Sequence, residues 1–225
     1  MRRTLLALAL ALAVSSVQAD DTSGNDISKV NGGITAEAGQ HYGDLDTVNG
    51  GITVHRGAVA GKVETVNGGI TLDDDAQVAS VETVNGGIGA GDRVKVAHGA
   101  ETVNGGVHFG FNSSIGADVV TVNGGIKVRQ TVIGGSVRTV GGDITIGAKS
   151  VVHGGIVVEK QHGMSLHWGK QRTPRIIIGP DAVVEGSLVF EREVELYVHT
   201  TAKIGSVTGA TARPYTDTLP SGGSD

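Results

Sequence analysis

Eight histidines carry most of the acid–base potential of this 225-residue chain: His41, His55, His98, His108, His153, His162, His167 and His199. Two of them, His162 and His167, share the stretch EKQHGMSLHWGKQRTPR at 159–175 with Trp168, the only tryptophan. That grouping makes His162, His167 and Trp168 a candidate ligand or metal site. The set is short of ligands, with no cysteine and only Glu159 as a nearby acid. Solvated loop histidines are therefore the reading these residues favour. A second candidate is LDDDAQ at Leu72, three carboxylates in a row that could bind Ca²⁺. Calcium-binding repeats stack Asp in successive copies, whereas the matching stretches here are VHRGAV and AGDRVK. A solvated acidic side accounts for LDDDAQ more simply. The NSS at Asn112 matches a glycosylation sequon and carries little weight in a chain of bacterial character.

A third candidate recurs along the chain. KVNGGIT begins at Lys29, TVNGGIT at Thr47 and Thr65, TVNGGIG at Thr83, TVNGGVH at Thr102 and TVNGGIK at Thr121, with a degenerate TVGGDIT at Thr139. Glycine-rich loops can cradle phosphates, but that use needs a following helix whose first amides point at the anion. No helical pattern follows any copy. The threonine column, Thr47, Thr65, Thr83, Thr102, Thr121 and Thr139, suggests an ice-binding hydroxyl array, yet one Thr per repeat gives a single file and not a lattice. Architecture explains the motif better than chemistry does.

The asparagines Asn31, Asn49, Asn67, Asn85, Asn104 and Asn123 lie 18, 18, 18, 19 and 19 residues apart. A fixed period of this size marks a solenoid. Inside it, an apolar or small residue falls at every sixth position from Val30 through Ala36, Tyr42, Val48, Val54 and Ala60 to Val96. The frame resumes after single insertions before Val103 and Val122 and runs on to Val158. Three hexads per 18 residues describe a coil with three short sides, each strand pairing with its equivalent about 4.8 Å away. The expected fold is all-β, a single-stranded, three-sided parallel β-helix. The rival is an array of hairpins, for which Asn-Gly between apolar runs is a strong signal. Hairpins would free the connecting segments in length and phase, and the constant hexad frame argues against that.

In this frame each motif is a corner. Val faces inward, Asn-Gly-Gly turns at positive φ, and Ile re-enters the core on the next side. The six asparagines are expected to form an amide ladder from coil to coil. Lysine at Val30 or Val48 is expected to bury an unpaired charge and disrupt the rod.

Composition agrees with strands: 37 glycines, 3% aromatic residues and an apolar fraction rich in Val, Ile and Ala. Arg2 and Arg3 precede an apolar run, Leu5 to Val14, and Val17-Gln18-Ala19 follows, which reads as a signal peptide (1–19) cleaved after Ala19. The run is too short to span a bilayer, and no Cys follows it to carry a lipid anchor. Without Arg2 and Arg3, 16 of the 18 basic residues face 23 acidic ones, a mature charge of −7, so nucleic acid is not expected as a partner. The expected organisation is a short linker at 20–26, a β-helix over 27–158, a loop insertion at 159–175, closing coils over 176–207 and a disordered tail at 208–225.

The hexad-framed coil and the segment PRIIIGPDAVVEGSLVFEREVELYVHTTAKIGSVTG resemble bactofilins, the bacterial polymer-forming cytoskeletal proteins. The repeated VETVNGGIT resembles the β-helix domains of putative adhesins of bacterial envelopes. The bactofilin resemblance implies a right-handed coil, which is also the usual hand of parallel crossovers, and end-to-end assembly. Bactofilins are generally cytoplasmic, whereas this chain reads as exported. Hexapeptide acyltransferases share the 18-residue coil with the opposite hand and use a His between subunits, but an exported chain seldom meets acyl-coenzyme A. The expectation is a non-enzymatic exported structural or adhesin-like protein, periplasmic, outer-membrane-associated or secreted. Its partners would be like copies or envelope polysaccharide or protein, and no cofactor is implied. The alternative is a ligand-binding, metal-binding or catalytic β-helix that uses the loop at 159–175.

Overall fold

The computed structural model describes residues 25–160 and 172–216. They form a parallel β-solenoid of about ten coils, roughly 18 residues per turn, with no helix among them. Every strand pair is parallel and joins equivalent residues of successive coils, as in Thr47↔Thr65 and Ile52↔Ile70. The hairpin reading is therefore excluded. The second side is a ten-stranded sheet from Ile34–Ala36 to Ala212–Tyr215. The first and third sides belong to one sixteen-stranded sheet, because Val59–Asn67 and Gln77–Asn85 bend round a corner without breaking. Ten strands at about 4.8 Å make a rod roughly 43 Å long.

Each side turns two residues inward, at positions i and i+2, as strand alternation requires. In one coil these are Leu45 and Thr47, then Ile52 and Val54, then Ala58 and Ala60, all buried. The steps between sides are seven, six and five residues, not six each. The hexad frame therefore holds on two sides and slips by one on the first. There the inward residue of TVNGG is Thr and not the expected Val: Thr47, Thr65, Thr83, Thr102, Thr121 and Thr139 are 1–4% exposed. Val48 is only half-buried, and Val30 is 62% exposed. Lysine at Val30 is thus expected to be tolerated by the fold, contrary to the sequence expectation, and the threonine column from Thr47 to Thr139 is buried and cannot meet ice.

The buried threonines have a specific partner. Thr65 Oγ1 donates to the Gly50 carbonyl at 2.8 Å, and Thr47, Thr83, Thr102 and Thr121 donate likewise to Gly32, Gly68, Gly86 and Gly105. A hydroxyl inside the rod satisfies a corner carbonyl of the preceding coil, which Val could not do. Thr139 Oγ1 lacks any partner, and Val158 occupies the equivalent place one coil on. Thr83→Val is therefore expected to lose about 1–3 kcal/mol by stranding the Gly68 carbonyl, whereas Thr139→Val should be neutral or stabilising. Urea unfolding of the two variants checks the contrast.

The corner glycines also differ from expectation. Only Gly32 among them has positive φ, at +100°. The left-handed residues lie instead at the corner between second and third sides: Gly39, Gly57, Asp75, Arg93, Asn112, Gln130, Lys149 and Asp181, with φ between 47° and 68°. Asn-Gly-Gly needs glycine because successive corners stack backbone on backbone. A Cβ on Gly86 would overlap the carbonyl of Gly68, and one on Gly87 would sit 3.1 Å from the Gly106 oxygen.

Two boundaries move. Asn25 and Asp26, placed in the linker by sequence, already touch the rod: the Asp44 N–H donates to Asp26 Oδ1 at 2.8 Å. The expected tail beyond 207 stays in the coil through Tyr215, whose hydroxyl donates to the Ile178 carbonyl at 3.2 Å and whose ring meets His199 edge-on. Thr- and Pro-rich composition concealed a strand that the coil beneath it dictates.

Candidate functional site

The asparagine ladder forms as expected. Asn49 Nδ2 donates to Asn31 Oδ1 at 3.1 Å, and Asn67, Asn85, Asn104 and Asn123 repeat the bond to the preceding copy at 2.9 Å. Asn49, Asn67, Asn85 and Asn104 thus have both donor and acceptor engaged along the column, which makes the ladder a structural seam.

Above Asn123 the column changes character. Gly141 replaces the next Asn, and Arg192 Nη1 donates to the Val140 carbonyl at 3.1 Å. Arg172 pairs with Asp143 at 2.8 Å, and the Arg175 N–H donates to the same carboxylate at 2.9 Å. The chain leaves the rod after Ile156–Val158 and returns at Arg175–Ile178, so the insertion branches from the asparagine corner two coils beyond Asn123. His162, His167 and Trp168 lie outside the described residues.

The remaining histidines do not converge. His55 Nδ1 lies 2.7 Å from Asp73, His153 Nδ1 3.0 Å from Glu185, and His199 Nδ1 2.9 Å from the Thr201 hydroxyl, each at a different coil. Among the described residues no three potential metal ligands come together. The carboxylates of LDDDAQ are each engaged across the coil spacing: Asp73 with His55, Asp74 with Arg56 at 2.9 Å, and Asp75 with Arg93 at 2.7 Å. The Arg93 hydrogen bonds hold the Asp75 carboxyl below its usual range. The acidic side is solvent-accessible, as expected, and its carboxylates are also paired from coil to coil.

A second acidic column was not anticipated. Asp46, Glu64, Glu82 and Glu101 stack in register on the outer face of the first side, directly beside the buried threonines. Its signal was the acidic residue before each Thr in DTVN and ETVN. Lys62, 3.5 Å from Glu64, and Arg138, near Glu101, offset it in part. Partial burial, reinforced by neighbouring carboxylates, pushes Asp46, Glu82 and Glu101 above their usual values. A raised folded-state pKa favours the protonated form, so this stabilisation is complete below the unfolded-state pKa and is lost as pH rises through the folded one. The column therefore costs stability at neutral pH and relaxes in mild acid, before Asp75 protonates. Glu82→Gln is expected to raise Tm at pH 7 and to flatten the acid-side rise, read by thermal melts across pH.

Two surface depressions lie on the sides of the rod. One, of about 600 Å³, is an open apolar groove across the third side past Ala79, Ala97, Gly116 and Val132. The other, of about 430 Å³, has a mixed polar and apolar lining and lies over the second side at Gly89. No family model, no curated protein and no solved structure matches this chain, so its architecture and surfaces are what inform its function.

Proposed function

We propose that this chain is a non-enzymatic, exported, adhesin-like structural rod that associates with like copies through its first coil and binds cell-envelope polysaccharide or protein along its sides. The observation that carries the reading is the inequality of the two ends. Among the described residues, Ile27–Asn31 and Ile34–Ala36 pair with one neighbour only. Ile34 and Ala36 bond to the next coil, as in Ile34 N–H to the Gly51 carbonyl at 3.0 Å. By the alternation of a parallel ladder the N–H and C=O of Thr35 face outward. An open strand edge of this kind is a template for another chain, and Val30 adds an exposed apolar side chain beside it.

The far end is blunted on its second side, while among the described residues Lys203–Ile204 and Val207–Thr208, like the strands of the first coil, pair with one neighbour only. The Thr200 N–H donates to the Tyr215 carbonyl, so Tyr215 faces the rod and Pro214 faces outward. Proline offers no N–H there, which is a common protection of an edge. The two ends thus differ at the second side, open at Thr35 and blunted at Pro214, and that difference favours a closed head-to-head pair over an open filament. No described helix is long and apolar enough to cross a membrane. Sedimentation of the mature chain from Asp20 at several concentrations tests the reading.

A second reading is favoured by the place where the insertion leaves the rod. Arg172, Asp143 and Arg192 gather beside Asn123 at its base, around an opening of about 270 Å³. If a ligand is held there, Trp168 fluorescence responds to a metal, glycan or envelope extract, and deletion of 161–171 abolishes the response while the rod still melts normally.

A further inference from the structure

The outward column of the second side begins Thr35, Thr53, Thr71, in register, and would continue with Thr in the next motif copy. It continues with Gly89, followed by His108. Nothing in the backbone calls for this glycine. Gly89 does not adopt positive φ, and a Cβ placed on it would meet no atom within 4 Å. This separates it from the glycines of the corner three residues earlier, whose Cβ positions are occupied by the adjacent coil. Glycine in a strand gives up side-chain packing and costs backbone entropy, and one use that offsets this is close approach of a ligand.

The missing side chain opens the depression of about 430 Å³, which Arg56, Thr71, Asp73, Asp74 and His108 surround. Its polar groups are already held in pairs, Asp73 2.7 Å from the His55 ring and Asp74 on Arg56, so the walls present fixed donors and acceptors. Burial, with the Arg129 and Lys127 cations nearby, lowers the His108 pKa and keeps its ring neutral, with one donor and one acceptor. A hydrogen-bonded spine leads on from Asp74: the Asp92 N–H donates to Asp74 Oδ1, and the Phe111 N–H donates to Asp92 Oδ1 at 2.8 Å. The spine ends in a phenyl ring that is 45% exposed, an apolar surface beside the cleft.

We infer that the cleft over Gly89 is a binding site for a neutral hexose unit of a polysaccharide, with the ring seated on the Gly89 backbone and its hydroxyls on Asp73, Asp74, Arg56 and His108. A guanidinium, an imidazole and two carboxylates around one backbone floor offer donors and acceptors together, the mixture that sugar hydroxyls use. Phe111 lies where a following sugar unit would place its apolar C–H face. The site deepens the proposed envelope-binding role and rests on it.

The test is calorimetric titration of the mature chain with six-unit oligomers of β-1,4-glucose, α-1,4-glucose and α-mannose, compared with Gly89→Thr. Thr at this position extends the column into open space, so the variant is expected to melt at or above the parent temperature. At least one oligomer should bind the parent, with a tenfold or greater loss in Gly89→Thr and a smaller loss in Phe111→Ala. Binding that Gly89→Thr leaves unchanged would overturn the site but not envelope binding. No binding of any oligomer would overturn the ligand class, and concentration-dependent association of the same samples would show whether the self-association reading survives.

Discussion

Gly86→Ala is expected to destabilise the rod by about 3 kcal/mol or more, whereas Gly89→Ala, three residues away in the same motif, should be neutral or mildly stabilising. The added Cβ at Gly86 would overlap the carbonyl group of Gly68, and the same overlap recurs between Gly50, Gly68, Gly105, Gly124 and Gly142 and the corners beneath them. Overpacking a side chain against other side chains costs about 1–3 kcal/mol because rotamers can shift. Here the obstacle is backbone already fixed in two sheets, so relief requires separating two coils. At Gly89 the Cβ meets nothing within 4 Å and lowers the entropy of the unfolded chain. Urea unfolding of the two variants gives the comparison directly. Equal stability would contradict the account of the corner as a backbone contact.

Phe109→Ala is expected to cost about 3–5 kcal/mol, the upper range for a buried large-to-small change. Phe109 is the bulkiest fully buried side chain, in a core otherwise built mainly from Val, Ile, Leu and Ala. It stacks in register between Ala90 and Val128, and the small Ala90 leaves the space that the phenyl ring fills. Alanine at 109 would put two alanines in succession along the axis. Paired strands on three sides cannot close in on that void. Phe109→Leu should recover much of the loss. A variant that melts within a degree or two of the parent would contradict the packing described.

The repeat made the coil, its period and the asparagine ladder legible, because one-dimensional stacking writes each structural column into the sequence at a fixed interval. What escaped was the phase of one side. A strand alternates in two ways, and hydrophobicity selected Val30 and Val48 as the inward residues. The structure turns Thr inward because its hydroxyl reaches a corner carbonyl, while Val48 stays half-buried on the outer face and Val30 is exposed at the open end. The glycines were read as positive-φ residues, but packing between coils rather than local turn chemistry requires them, and such contacts link residues 18 apart. Asp75, Arg93, Asn112 and Gln130 hold the left-handed corner with side chains of four types, so no composition rule could have found it. The Gly89 cleft was visible only as TVNGGIG in place of TVNGGIT. That single change becomes informative once the open space around its Cβ is known.

Association through the first coil is the central claim. Sedimentation velocity with electron microscopy of the mature chain from Asp20, beside Val30→Lys, tests it most directly. The account predicts a concentration-dependent pair of rods about twice the single length of roughly 43 Å, with Val30→Lys monomeric at the same concentrations and unchanged in melting. A parent chain that stays monomeric throughout, or one whose association ignores the lysine, would contradict it.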